Sequence, residues 1–136
     1  MYKTLYRPVG LKELNLIIES DWSAFPPRLD WQPIFYPVLN QPYAEQIARD
    51  WNTKDSASDY VGFVTAFDVD TEYLSQFEEH IVGGSQHKEL WIPAEELTRF
   101  NSMIQGKIRL AAVFYGDKYS GKRDYTISDD NAPQNL

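Results

Sequence analysis

The chain has 136 residues, a length that suits one domain with one core, and two domains would each be short of apolar area. Hydrophobic residues make up 43% and aromatic residues 15%, which excludes disorder of the whole chain. Thirteen Lys and Arg against twenty Asp and Glu leave a net charge of −7. That balance argues against nucleic acid or an anionic membrane surface as the default partner, and it suits a basic protein partner. The absence of cysteine excludes disulfides, thiol nucleophiles and thiolate metal sites. Residues 1–7 lack the apolar run of a secretory signal, and no segment approaches the roughly 20 apolar residues of a membrane span. A cytoplasmic location is the expectation.

In chain order, residues 3–8 predict a short strand ended by Pro8 and Gly10. Leu11, Leu14, Ile17 and Ile18 share one helical face over residues 11–19, with Leu16 alone off it. Residues 20–33 are punctuated by Ser20, Pro26, Pro27, Asp30 and Pro33 and predict a loop. That loop carries Trp22, Phe25 and Trp31, which is unusual for a solvated segment. Residues 34–39 predict a strand that Pro37 demotes to an edge or bulged one. Asn40 offers an N-cap with Pro42 in the first turn, and Ala44, Ile47, Ala48 and Trp51 follow at helical spacing.

Residues 60–69 are apolar on both faces and predict a central strand. Asp70 caps a helical turn through Leu74. Residues 77–82 and 87–92 predict two strands around the turn at Gly83 and Gly84, the second ended by Pro93. Residues 94–101 predict a short helix with Leu97 and Phe100 inward. Gly106 is expected to break the chain, residues 107–115 to form a last strand, and residues 117–136 to be a polar, loose tail. Strands concentrate in the second half, so the expected fold is α+β, with a mixed, split β-sheet and short helices, in a single domain over residues 1–116.

The motifs of nucleotide folds and hydrolases are missing: there is no GxGxxG, no GxxxxGK[ST] and no GxSxG. His80 and His87 lie seven apart across the Gly-Gly turn, too few ligands for zinc, and read best as ordinary strand residues. Asp68, Asp70 and Glu72 lack the glycine and distal Glu of a calcium loop, and capping by Asp70 explains them better. No metal is expected.

The segment from Leu5-Tyr6-Arg7 through Gly10-Leu11-Lys12-Glu13-Leu14 resembles the first strand and helix of the ADP-ribosyltransferase-like fold, in which the strand carries an Arg or His. Ile34-Phe35-Tyr36 through Pro42-Tyr43-Ala44 resembles that family's aromatic strand and following helix. Glu89-Leu90-Trp91-Ile92-Pro93 resembles its catalytic strand. The match spans most of residues 3–115 and is nearest to the small bacterial proteins described as ADP-ribosylation or crystallin-J1-like.

The resemblance implies NAD as substrate and cleavage of its nicotinamide–ribose bond, by a transferase or an NAD glycohydrolase. Such cleavage passes through an oxocarbenium-like state that a carboxylate beside the ribose stabilises. Glu89 is the candidate for that role. Arg7 is the candidate for holding phosphate or ribose oxygens through its fork of donors. Tyr36 and Tyr43 both qualify to stack on nicotinamide, and the loop at residues 22–31 to cover the pocket. The place two residues before Glu89 holds His87, where arginine-modifying transferases carry Glu or Gln, so modification of protein arginine is not implied.

Each residue also has a plain structural reading. Arg7 fits an exposed strand position, Glu89 a cross-strand ion pair beside Lys88, and the tyrosines half-buried packing. The alternative function is a non-catalytic, acidic interaction or immunity-type protein that binds a basic protein partner through Trp22, Phe25 and Trp31.

Overall fold

A computed structural model describes residues 1–128. Its organising element is the strand β3 (Val61–Asp70), eight of whose ten residues are buried. It pairs antiparallel on one side with β1 (Tyr2–Val9) and on the other with β7 (Ile104–Tyr115). A strand apolar on both faces requires cover on both, and it has it. On one face Leu5, Val9, Phe63 and Phe67 meet Leu14 and Ile17 of helix α1 (Leu11–Glu19), together with Phe25 and Phe35. On the other, Val64 meets Ala44 and Ala48 of helix α2 (Gln41–Asp50). The protein is therefore an α+β fold with its sheet between two helical layers.

The helices begin where their caps stand. The Asn40 side chain accepts the Tyr43 amide at 2.8 Å and sets the start of α2, with Pro42 in its first turn. Asp70 likewise accepts the Tyr73 amide at 2.9 Å and opens α3 (Thr71–Leu74). In α1 the apolar face is narrower than its spacing predicts: Leu14 and Ile17 are buried, whereas Ile18 and Leu16 stay about equally exposed.

The second half adds β4 (Glu79–Ile81) and β5 (Lys88–Leu90), an antiparallel pair, and β6 (Ile92–Pro93), which pairs with β2 (Ile34–Phe35). Helix α4 (Leu97–Ser102) then buries Leu97 and Phe100. All strand pairings among the described residues are antiparallel. The split in the sheet is spanned by one residue. Val38 exchanges both backbone hydrogen bonds with Tyr6, at 2.7 and 2.9 Å, and also bridges to Glu89. Pro37 has no N–H to give, but its carbonyl accepts the Leu90 amide at 2.9 Å. Tyr6, Val38 and Glu89 thus stand in register across the junction, while the β1 edge from Arg7 onward is left without a strand on that side.

Two expectations need correcting. Gly106 does not end an element: it lies inside β7 at φ +72°, where the register against β3 shifts. Glycine supplies that left-handed conformation, and the displaced Ile108 amide donates to the Trp22 carbonyl at 2.7 Å. Nor are residues 117–128 loose. Tyr119 is buried, Tyr125 packs edge-on against Phe63 at 4.7 Å, and the Ser128 amide donates to the Leu110 carbonyl at 2.8 Å. The rest of the expected tail, residues 129–136, lies outside the described residues. No helix among the described residues is long and apolar enough to cross a membrane.

Gly62 sets the distance between β3 and α2. A Cβ there would stand 2.6 Å from the Ala48 carbonyl oxygen and 2.8 Å from the Ala48 Cα. Those are backbone atoms that cannot rotate away, so Gly62→Ala is expected to destabilise the chain by about 2 kcal/mol, as a shift in the urea midpoint at unchanged slope.

Candidate functional site

Where β1 loses its strand neighbour, the chain leaves a cleft of about 950 Å³. That volume is at the upper end of the roughly 300–1,000 Å³ usual for small-molecule sites. Arg7, Tyr36 and Glu89 all line it, together with Trp51, Trp91 and Arg28. Arg7 and Glu89 reach it from opposite sides of the sheet. Alternation along β1 places Arg7 with Leu5 and Val9, on the α1 face, whereas Glu89 shares the α2 face with Tyr6 and Val38. They share a cleft because the sheet is open between them.

Arg7 is 8% exposed and heavily committed. Its Nε donates to Glu13 Oε2 at 2.7 Å and its Nη2 to Glu13 Oε1 at 3.0 Å, a two-pronged pairing. Nη1 donates to the Tyr36 carbonyl at 3.4 Å, and the guanidinium carbon lies 4.7 Å from the centre of the Phe35 ring. The Arg7 carbonyl in turn accepts from the buried Thr65 hydroxyl at 2.8 Å. The exposed strand arginine is therefore excluded: Arg7 is a fixed part of the cleft floor. Its spare capacity is one N–H on each terminal nitrogen.

Glu89 is held by two neutral donors. The Tyr43 hydroxyl donates to Oε2 at 3.1 Å and the Trp91 indole N–H to Oε1 at 2.8 Å. No ion pair with Lys88 forms among the described residues; Lys88 faces Ile81 across the β4–β5 pair. No cation among the described residues pairs with the carboxylate, and the two donors fix its orientation. Burial and the adjacent Glu89 charge push the Tyr43 phenol up to about 12, so Tyr43 stays a hydrogen-bond donor at neutral pH.

The two tyrosines separate. Tyr36 lines the cleft and meets Trp91 edge to face at 6.3 Å. Tyr43 is not part of the cleft lining: it orients Glu89 from behind and stacks on His87 at 4.5 Å. His80 stacks on Trp91 at 3.8 Å, which steadies the indole that holds Glu89. The two histidines therefore buttress aromatic rings, and no cluster of metal-ligating side chains occurs among the described residues. Asp70 caps α3, and Asp68 receives Thr4 and Arg109.

The loop at residues 20–33 does wall the cleft, but through Pro26, Pro27, Arg28, Leu29 and Gln32. Its aromatic residues are elsewhere: Phe25 is in the core and Trp31 is 76% exposed outside the lining. Glu13, Arg28, Trp51 and Trp91 were not among the site residues expected from the sequence. Alternation two residues beyond Glu89 points to Trp91, and Arg28 is the sole cation in residues 20–33. Compared with protein-family models, with curated proteins and with solved structures, the chain matches none.

Proposed function

We propose that the cleft binds NAD and that Glu89 stabilises the ribosyl cation formed as nicotinamide leaves, making the protein an NAD glycohydrolase or ADP-ribosyltransferase. The observation that carries this reading is the state of Glu89. It is a carboxylate without a cationic partner among the described residues, aimed by two neutral donors, in a cleft walled by Tyr36, Trp51 and Trp91. An uncompensated, preorganised negative charge is what a developing oxocarbenium ion requires. Aromatic walls supply a surface for a flat nicotinamide ring, with Tyr36 as the stacking residue. Tyr43 positions Glu89, and Arg7 offers its remaining donors from the floor. His87 is engaged with Tyr43 and Gln46, so the place two residues before Glu89 holds no acid for activating a protein arginine.

Incubation of the full chain with millimolar NAD, following released nicotinamide by chromatography, tests the reading. Time-dependent release supports it. Neither release nor NAD binding under those conditions overturns it.

A second reading rests on Trp31, which is 76% exposed at the surface of a protein of net charge −7. An exposed indole on an acidic surface suits contact with a basic protein partner, without catalysis. A stoichiometric complex that Trp31→Ala abolishes, in a chain that does not bind NAD, would favour it.

A further inference from the structure

Charge is unevenly distributed within the cleft. At one end lie Arg7 and Arg28 with Glu13, which Arg7 occupies with two hydrogen bonds; Lys12 also lines the cleft, as does Asp55, whose carboxylate accepts from the Ser58 hydroxyl. Arg28 is half-buried and lines the same wall. Its Nε donates to the Ile34 carbonyl at 3.0 Å, which fixes the plane of its guanidinium against β2. Its two terminal nitrogens, carrying four N–H groups, have no partner among the described residues, and no carboxylate forms an ion pair with it. Lys12, next to Glu13 on α1, is exposed and forms no ion pair among the described residues. At the other end, Glu89 is a carboxylate without a cation among the described residues.

A half-buried guanidinium beside a second guanidinium is unfavourable on two counts: loss of hydration and like-charge repulsion. Both effects hold the Arg28 pKa below its ordinary value, with burial the larger and Arg7 the next, and the charge of Glu13 and the Tyr36 phenol offset them only in part. An anion seated between the free face of Arg28 and Lys12 would relieve both.

We propose that the Arg28 end of the cleft is an anion subsite that receives the phosphate groups of a phosphorylated ligand, with Arg28 as the principal donor and Lys12 as the secondary one. The proposal deepens the NAD reading and rests on it for the identity of the ligand. A dinucleotide then lies along the cleft with its diphosphate toward Arg28 and its glycosidic carbon toward Glu89. Arg7 acts behind this subsite by engaging Glu13 with two hydrogen bonds, so that Glu13 reaches Arg28 through its charge and not through an ion pair.

The test is titration of the full chain with inorganic pyrophosphate and with ADP-ribose by calorimetry, for the native chain and for Arg28→Met, Arg28→Lys and Lys12→Gln. The native chain is expected to bind both probes, more weakly as salt rises. Arg28→Met should weaken both by about tenfold or more, Arg28→Lys by less, and Lys12→Gln by about threefold. Should Arg28→Met fail to fold, Lys12→Gln and the salt dependence of the native chain decide. No pyrophosphate or ADP-ribose binding by the native chain, or equal binding by Arg28→Met and Lys12→Gln, overturns the subsite. Pyrophosphate binding that depends on Arg28 in a chain that does not cleave NAD keeps the subsite and rejects the catalytic reading. NAD cleavage with an unchanged KM in Arg28→Met does the reverse.

Discussion

Glu89→Gln is expected to lower nicotinamide release from NAD by at least about 100-fold while leaving NAD affinity within a few-fold of the native chain. The substitution preserves shape and removes charge. The new side-chain carbonyl can still accept the Trp91 indole N–H, and the new amide N–H can donate to the Tyr43 oxygen, because a phenol both donates and accepts. The fold around β5 therefore has no reason to change. What disappears is the negative charge facing the ribosyl cation, and loss of one preorganised electrostatic contact of this kind costs about 2.7–4 kcal/mol of transition-state stabilisation. A variant that releases nicotinamide at the native rate would remove Glu89 from the mechanism, and one that no longer binds NAD would make it a binding residue instead.

Glu13→Ala is expected to cost about 3 kcal/mol of folding stability, the largest loss among the stability changes considered. The Arg7 and Glu13 side chains are 10% and 22% exposed. Removing the carboxylate strands a guanidinium that is nearly sealed from water, and breaking a buried pair from one side costs about 3–5 kcal/mol. The partial exposure of Glu13 places the loss at the low end, since water can reach the gap. Glu13→Gln should recover part of it, because an amide oxygen still accepts one of the two hydrogen bonds. Urea denaturation of the three proteins gives the order native, Glu13→Gln, Glu13→Ala. Equal midpoints would show that the buried Arg7 guanidinium does not depend on Glu13 as its charge partner.

Regular elements were readable from residue pattern alone wherever local chemistry decides them. Helix α1 spans the residues its leucine and isoleucine spacing predicts, and Asn40 and Asp70 cap the helices they precede. The central position of β3 follows from its two apolar faces. Local pattern fails where a long-range partner decides. Val38 joins two parts of the sheet through a single-residue bridge, which has no periodicity to detect. Gly106 reads as a break because its left-handed φ suits a turn, yet the neighbouring strand absorbs it as a bulge. The polar segment after Gly116 hides two packing residues, Tyr119 and Tyr125, among charges and small polar residues.

The same distinction applies to the cleft. Arg7, Tyr36 and Glu89 are candidates that the fold brings to one cavity. Their supports were not readable, because each comes from another element at a separation that sequence spacing does not encode. Glu13 reaches Arg7 only because the chain turns sharply between β1 and α1. Tyr43 reaches Glu89 only because α2 lies across the junction at Val38. Arg28 sits in a loop without repeat or motif, and what marks it is its fixed Nε and a face without a partner among the described residues.

The four tryptophans allow a direct test of the central claim, that NAD occupies the cleft beside Glu89. Trp51 and Trp91 line the cleft, whereas Trp22 and Trp31 do not, and the Trp91 indole N–H is itself bonded to Glu89. In a titration of the nitrogen-15-labelled chain with NAD, the indole N–H resonances of Trp91 and Trp51 are predicted to shift in a saturable way, with Trp31 unmoved. Saturable binding that shifts Trp31 and leaves Trp91 and Trp51 in place, or no shift of any indole at millimolar NAD, would contradict it.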